Sequence, residues 1–153
     1  MDEKWLKVLA EAVLFAGIKQ ESVAVMLGCL QPKINSYSKN SYITTSGEYF
    51  SGIGILLEGK ASVIKENIAG SRVVITTLTP GDMFGEMTAF SSIKVWPASV
   101  QAKSDCAALF LGVDKIVGSC SQVCGHHQAL IFNMLRIVSD RAVMLNRRIE
   151  YFT

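Results

Sequence analysis

The sequence is poor in histidine, and the little it has is confined to one place. Its two histidines are the neighbours His126 and His127. A metal-dependent β-barrel enzyme needs two or three histidines that point inward from separate strands, so this class of enzyme is excluded. The same confinement argues against a Ser-His-Asp arrangement, and neither a Gly-x-Ser-x-Gly elbow nor a P-loop is present. We therefore expect a protein that is not an enzyme.

Charge and long apolar runs are also scarce. Charged residues make up 18% of the 153 residues and hydrophobic residues 50%, which is typical of one folded domain and excludes a disordered chain. The 15 basic and 13 acidic residues leave a net charge of +2, so composition gives no sign of a nucleic-acid surface. No stretch approaches 18 apolar residues, and the N-terminus lacks the features of a signal peptide. We expect a cytoplasmic protein without a membrane partner.

Three patterns follow one another along the chain. Apolar residues recur at helical spacing over residues 4–15 and 21–30, and again from residue 114 onward, with a short helix over 115–120. Between them, short β-branched and aromatic runs alternate with turn signals, which is typical of an antiparallel sandwich or barrel. Alternation within the fifth run predicts that Val73 and Ile75 face the core. The predicted strands cover residues 33–37, 41–45, 53–57, 60–66, 72–78, 98–102 and 107–111.

A long helix is predicted from about residue 124 to residue 152. Apolar residues follow one another along it at alternating spacings of 4 and 3, which is the seam of a coiled coil. The neighbouring stripe is apolar in its first half and largely basic in its second half. We expect the helix to lean on its own domain first and then to pair with a second copy; the alternative is a helix packed entirely on its own β-domain. The predicted dimer seam consists of Ile131, Leu135, Val138, Ala142, Leu145, Ile149 and Phe152.

Several segments resemble, in their order and spacing, the Crp/Fnr family of bacterial transcription regulators within the cyclic nucleotide-binding-domain superfamily. They are Gly54-Ile55-Leu56-Leu57-Glu58-Gly59, Thr79-Pro80-Gly81-Asp82-Met83-Phe84-Gly85-Glu86 and Pro97-Ala98-Ser99-Val100-Gln101-Ala102. The resemblance implies a mainly β fold with flanking helices: a double-stranded β-helix, or jelly roll, and a long C-terminal dimerisation helix. It divides the chain into a sensor domain over residues 1–120 and a dimerisation helix over residues 121–153. It also implies a homodimer that responds to a small-molecule effector.

Regulators of this family carry a C-terminal winged helix-turn-helix domain, whereas this chain stops at Thr153. We expect the sensory half of a regulator, which reaches DNA only through a C-terminal domain that this chain does not contain. The alternative is a cyclic-nucleotide-binding module that stands alone or belongs to a kinase or channel.

In the resembling family, the segment around Gly85 and Glu86 is the phosphate-binding cassette, where the glutamate accepts from a ribose hydroxyl. The members that bind cyclic AMP place an arginine about ten residues later, but Trp96 occupies that position here and Lys94 is the nearest cation. A cyclic nucleotide is thus disfavoured, and an unknown effector that is partly apolar or acidic is preferred. The simpler alternatives are a turn that the fold demands at Gly85 and a core filler at Trp96. The expected effector-binding residues are Phe84, Gly85, Glu86, Met87, Trp96, Pro97, Ala98 and Ser99.

The spacing of Cys120, Cys124 and His127 allows one helix face to present all three side chains. A zinc site needs a fourth ligand, which the pattern does not supply. We therefore expect no metal site, and we interpret these cysteines as small packing residues rather than as a redox pair.

Overall fold

A computed structural model of the chain describes residues 1–118 and 126–152, the last five as backbone only. Helices occupy both ends of the described chain, with two short ones in its middle. They are α1 (Glu3–Glu11), α2 (Gln20–Leu30), α3 (Glu86–Ala89), α4 (Val113–Val117) and α5 (His127–Phe152), with a 3₁₀ turn at Val13–Phe15. The N-terminal helix is shorter than the predicted 4–15, because the backbone of Ala12 is extended (φ −70°, ψ 150°) and separates α1 from that turn. The short helix predicted over 115–120 begins earlier, and its last two residues lie outside the described chain.

Eight strands form two four-stranded antiparallel sheets, in the orders β1-β8-β3-β6 and β2-β7-β4-β5. All seven predicted strands are present, with bounds that differ by at most one residue at either end. The eighth strand, β6, has only two residues and was not predicted. The strands are β1 (Lys33–Tyr37), β2 (Tyr42–Thr44), β3 (Gly52–Glu58), β4 (Ala61–Glu66), β5 (Arg72–Leu78), β6 (Met83–Phe84), β7 (Ser99–Ala102) and β8 (Cys106–Gly112). The prediction of a mainly β jelly roll with flanking helices is confirmed.

The strand β3 joins two apolar cores. Because successive side chains of a strand point to opposite faces, Ile53, Ile55 and Leu57 pack against the N-terminal helices and α5. Leu56, on the other face, packs inside the roll with Phe84. The helices therefore cover the outer face of one sheet, and β3 is buried on both sides as a central strand must be.

The exposed strand β5 contradicts one sequence expectation. Val73 and Ile75 were expected to face the core, but they are 41% and 54% exposed. The reason is that β5 is an edge strand that pairs only with β4, so no further strand lies on its other side. Of its seven residues only Leu78, at the end nearest the core, is buried.

The helix α5 is attached to the domain at its start. Leu130 and Met134 are buried in the core that the N-terminal helices form. Between them on the chain, the buried Asn133 donates from its side-chain amide to the carbonyls of Leu14 and Ala16, at 2.8 and 3.0 Å. Further along α5 the described side chains are exposed from Ser139 to Arg147. Within the described residues, no helix has the length and apolarity needed to cross a bilayer.

Candidate functional site

The segment that connects β5 to α3 is a tight, internally bonded turn. The Asp82 carboxylate accepts from the backbone N–H of Thr79 at 2.8 Å and from its hydroxyl at 3.2 Å. Gly81 has a φ of +96°, which favours glycine, and its N–H donates to the carbonyl of Leu56 on β3 at 2.7 Å. The turn thus ties residues 79–90, which we call the cassette segment, to the centre of the first sheet.

Glycine is the only residue type that fits at position 85 without strain. It lies between β6 and α3 with a φ of +83°, and a Cβ built on it would collide with the ring of Trp96. The left-handed backbone turns the chain so that Glu86 begins α3 with its side chain facing inward, 7% exposed. Gly85 and Trp96 are therefore packed as a unit.

Trp96 belongs to an aromatic cluster at one end of the roll interior. Its ring stacks on Phe50 at 4.8 Å between centroids and meets Phe84 and Phe110 at 5.8 and 6.1 Å. It is 7% exposed. Trp96 therefore has both of the roles that were considered for it. It fills the core, and it also borders a cavity.

That cavity, which we call the cassette cavity, has a volume of about 350 Å³ and separates the roll from α5. Seven of the eight expected effector-binding residues line it: Phe84, Gly85, Glu86, Met87, Trp96, Pro97 and Ala98. Ser99 does not. Ala98 and Val100 point into the cassette cavity, so the residue between them points to the other side of β7. There the Ser99 hydroxyl accepts from the N–H of Ser46 at 3.0 Å, in a separate surface cavity.

Two residues of α5, Arg141 and Leu145, also line the cavity. The guanidinium of Arg141 lies 3.2 Å from the carboxylate of Glu86, and Leu145 follows one turn later. The Glu86 side chain is buried while that of Arg141 is 55% exposed, so the pair is partly screened by solvent. It is a direct electrostatic link between the cassette segment and the long helix.

The remaining wall is built by the second sheet. Its described lining residues are four apolar side chains, two threonines and one lysine: Val63, Ile75, Leu78, Val100, Thr44, Thr76 and Lys65. Met83 lines the cavity from β6 of the first sheet. Lys94 is the cation nearest to the cassette in the sequence, but it does not line the cavity. Its ammonium donates instead to the carbonyl of Ala89 at the end of α3, at 3.3 Å. Among the residues whose side chains are described, the cations that border the cassette cavity are Arg141 and Lys65.

Sequence reasoning missed this role for both α5 residues. Arg141 lies in the basic second half of the stripe beside the seam, and Leu145 was assigned to the seam itself. The change from apolar to basic along that stripe was the available signal, because it marks where α5 leaves the apolar core and reaches the cassette segment.

Nothing among the described residues indicates a metal centre: no three His, Cys, Asp or Glu side chains there cluster as ligands. Cys120 and Cys124 lie outside the described residues. The Nδ1 of His127 is 3.0 Å from the carbonyl of Ile116. That contact ties the start of α5 to α4 and fits a structural role for this histidine.

The comparison with protein families matches residues 34–122 to the cyclic nucleotide-binding domain. This match spans the roll, the cassette segment and Trp96. The chain belongs to the cyclic nucleotide-binding domain family. Domains of this family are binding modules, and the curated relatives are transcriptional regulators, so the expectation that the chain is not an enzyme is confirmed.

Curated relatives and solved structures agree with this membership. The chain is 29% identical over 90 residues to the CRP-like cAMP-activated global transcriptional regulator of Mycobacterium tuberculosis, which covers 59% of this chain and 38% of the relative. It resembles the catabolite activator protein of Thermus thermophilus with a TM-score of 0.78 at 19% identity, over 92% of this chain and 63% of that one. The chain also resembles the sensor domain of the transcriptional regulator DNR from Pseudomonas aeruginosa. The TM-score is 0.72 at 15% sequence identity, over 98% of this chain and 95% of that one. The chain thus spans little more than a third of that curated relative, and the expected resemblance to CRP-like regulators is confirmed.

Proposed function

We propose that this chain is the effector-sensing and dimerisation part of a CRP-like regulator. In this account a small molecule binds in the cassette cavity, and two copies pair along α5. In this proposal residues 1–120 sense the effector, and residues 121–153 dimerise and transmit the signal. The observation that carries the proposal is the cavity itself, since both the cassette segment and α5 contribute to its wall.

The geometry links occupancy of the cavity to the position of the helix. A ligand beside Glu86 competes with or reinforces its ion pair with Arg141, and it also touches Leu145. A ligand that favours one position of α5 over another shifts the population of the two states. In a complete regulator, such a shift would reposition DNA-binding heads attached beyond α5.

The exposed apolar seam supports the pairing of two chains. Leu135 and Leu145 both fall on the predicted seam, and in the single chain they are 62% and 46% exposed. Exposed leucines repeated at this spacing are typical of a coiled-coil surface that a partner helix covers. Ile149 and Phe152 extend the seam into the part of α5 whose side chains the structure does not describe.

Cyclic AMP is not the effector we propose. The relatives' names state that they are cAMP-activated, and their family places an arginine where Trp96 stands here. Trp96 is fixed by three aromatic neighbours, so no cation can take its place without opening the cluster. A cyclic phosphate in this cavity would lack a bidentate partner held by the cassette.

Dimerisation is tested by paired substitutions on α5. Leu135→Glu places a charge on the seam, whereas Val143→Glu changes an equally apolar residue, 50% exposed, that lies off the seam. We expect light scattering to give a monomer mass for the first variant and a dimer mass for wild type and the second. Leu145 is a poorer choice for this test, because it also lines the cassette cavity. A dimer mass for Leu135→Glu would remove the seam from the account.

Binding of a cyclic nucleotide is tested by thermal melting. A ligand that binds only the folded chain raises its melting temperature by mass action. We expect millimolar cyclic AMP to leave the melting temperature unchanged. A rise of several degrees would show that the family's usual ligand binds despite Trp96.

A further inference from the structure

The charges that border the cassette cavity do not cancel. Three described residues of its lining are charged: Lys65, Glu86 and Arg141. Glu86 and Arg141 form an ion pair with each other. Among the described residues Lys65 has no acidic partner within ion-pair distance, so the described cavity lining carries one uncompensated positive charge.

Lys65 and Arg141 are exposed at the border of the cavity, whereas Glu86 is buried, and most of the remaining lining is apolar. Lys65 is two residues beyond Val63 on β4, so both side chains point to the same face of the strand. Ile75 on β5, Leu78 at its end and Leu145 on α5 are among the apolar lining residues. The hydroxyl of Thr44 already donates to the carbonyl of Ala98 at 3.2 Å. A ligand with many polar groups would leave several of them unpaired in these surroundings, which lowers affinity.

We infer that the effector is a small monocarboxylic acid with a compact apolar body. Its carboxylate takes the position between Lys65 and Arg141, and its body packs against Val63, Ile75 and Leu145. A single negative charge balances the single uncompensated lysine, and the guanidinium adds a hydrogen bond donor from α5. A volume of about 350 Å³ suits a ligand of this size. This inference rests on the proposed function, because it names the ligand class of the same cavity.

The experiment uses the full chain with Trp5→Phe, which leaves Trp96 as the only tryptophan. Because Trp96 lines the cassette cavity, its fluorescence reports ligand entry. The probes are a panel of linear, branched and aromatic monocarboxylic acids of four to ten carbons, the matched neutral amides and cyclic AMP. Melting temperature is the second readout for every probe.

We expect at least one acid to change the Trp96 emission saturably, and to bind about tenfold more tightly than its own amide, because the amide cannot make the charge-assisted contact. In Lys65→Gln the acid and the amide should bind about equally. Lys103→Gln is the matched control, since Lys103 is an exposed lysine directly after β7, donates to Gln101 and does not line the cavity. It should preserve the preference for the acid.

The outcomes separate this inference from the proposed function. If amides bind as tightly as acids, or if cyclic AMP binds more tightly than every acid, the ligand class is wrong while the cavity remains a sensor site. If the preference for the acid survives Lys65→Gln, the carboxylate lies elsewhere and the inference is overturned. If no probe changes either readout, the proposed sensor function fails along with the ligand class.

Discussion

Replacing Gly85 with alanine tests the packing that shapes the cassette cavity. Two costs add at this position. A left-handed backbone costs a non-glycine residue about 1–2 kcal/mol, and Gly85 has a φ of +83°. The new Cβ would also meet the six-membered ring of Trp96, with Cε3 only 2.9 Å away. That ring cannot move freely because Phe50 and Phe84 pack on it, so relief of the overlap adds about 1–3 kcal/mol.

The total is about 2–5 kcal/mol, which corresponds to a fall of roughly 5–15 °C in melting temperature for a domain of this size. Differential scanning calorimetry measures the fall. Gly28→Ala is the control, because Gly28 lies within α2 with open space around its Cα, and alanine there should stabilise by about 0.5–1 kcal/mol. In a Trp96→Phe background the cost of Gly85→Ala should shrink by 1 kcal/mol or more, since the smaller ring removes the overlap. Equal melting temperatures for Gly85→Ala and wild type would refute this description of the cassette.

Two further predictions concern residues outside the cavity. Asn133→Ala leaves the carbonyls of Leu14 and Ala16 without their donor, so it should lower the free energy of unfolding by about 2–4 kcal/mol in chemical denaturation. The control is Asn146→Ala, at an exposed position of the same helix, which should change the free energy of unfolding by less than about 0.5 kcal/mol. Equal effects of the two substitutions would contradict the anchoring role of Asn133. Burial raises the pKa of the Cys106 thiol, so in native protein it should be alkylated at least about tenfold more slowly than in urea. A raised pKa in the folded state favours folding below the pKa of the unfolded thiol, and this contribution is lost as the pH rises through the folded value. The alkaline loss of stability should therefore be smaller in Cys106→Ala, and an unchanged pH profile would contradict the assignment.

The strands were predictable because their signals are local. Runs of β-branched residues ended at turns such as Glu58-Gly59, where Gly59 has a φ of +86°, and these bounds needed no tertiary information. The strand β6 was missed because two residues cannot show a period. The exposure of Val73 and Ile75 was missed because alternation predicts a face but not whether another layer covers it.

Only one wall of the cassette cavity was predictable from the sequence. The motif ending in Gly85-Glu86 and the position of Trp96 lie on a continuous stretch of chain, and the structure brings them together. The partners from α5 depend on how far the helix extends along the roll, which is set by packing at Leu130 and Met134 rather than by any local pattern. For this reason Arg141 was recognised as basic but not as the partner of Glu86.

The central claim is that two chains pair along α5 while each keeps an open cavity between α5 and its own cassette segment. A crystal structure of the purified chain tests this most directly. We predict two α5 helices in contact along Leu135 and Leu145, with Arg141 of each chain paired to its own Glu86 at the border of an open cavity. A single chain with α5 folded flat over its own roll, and with side chains filling the space beside Glu86, would contradict the account.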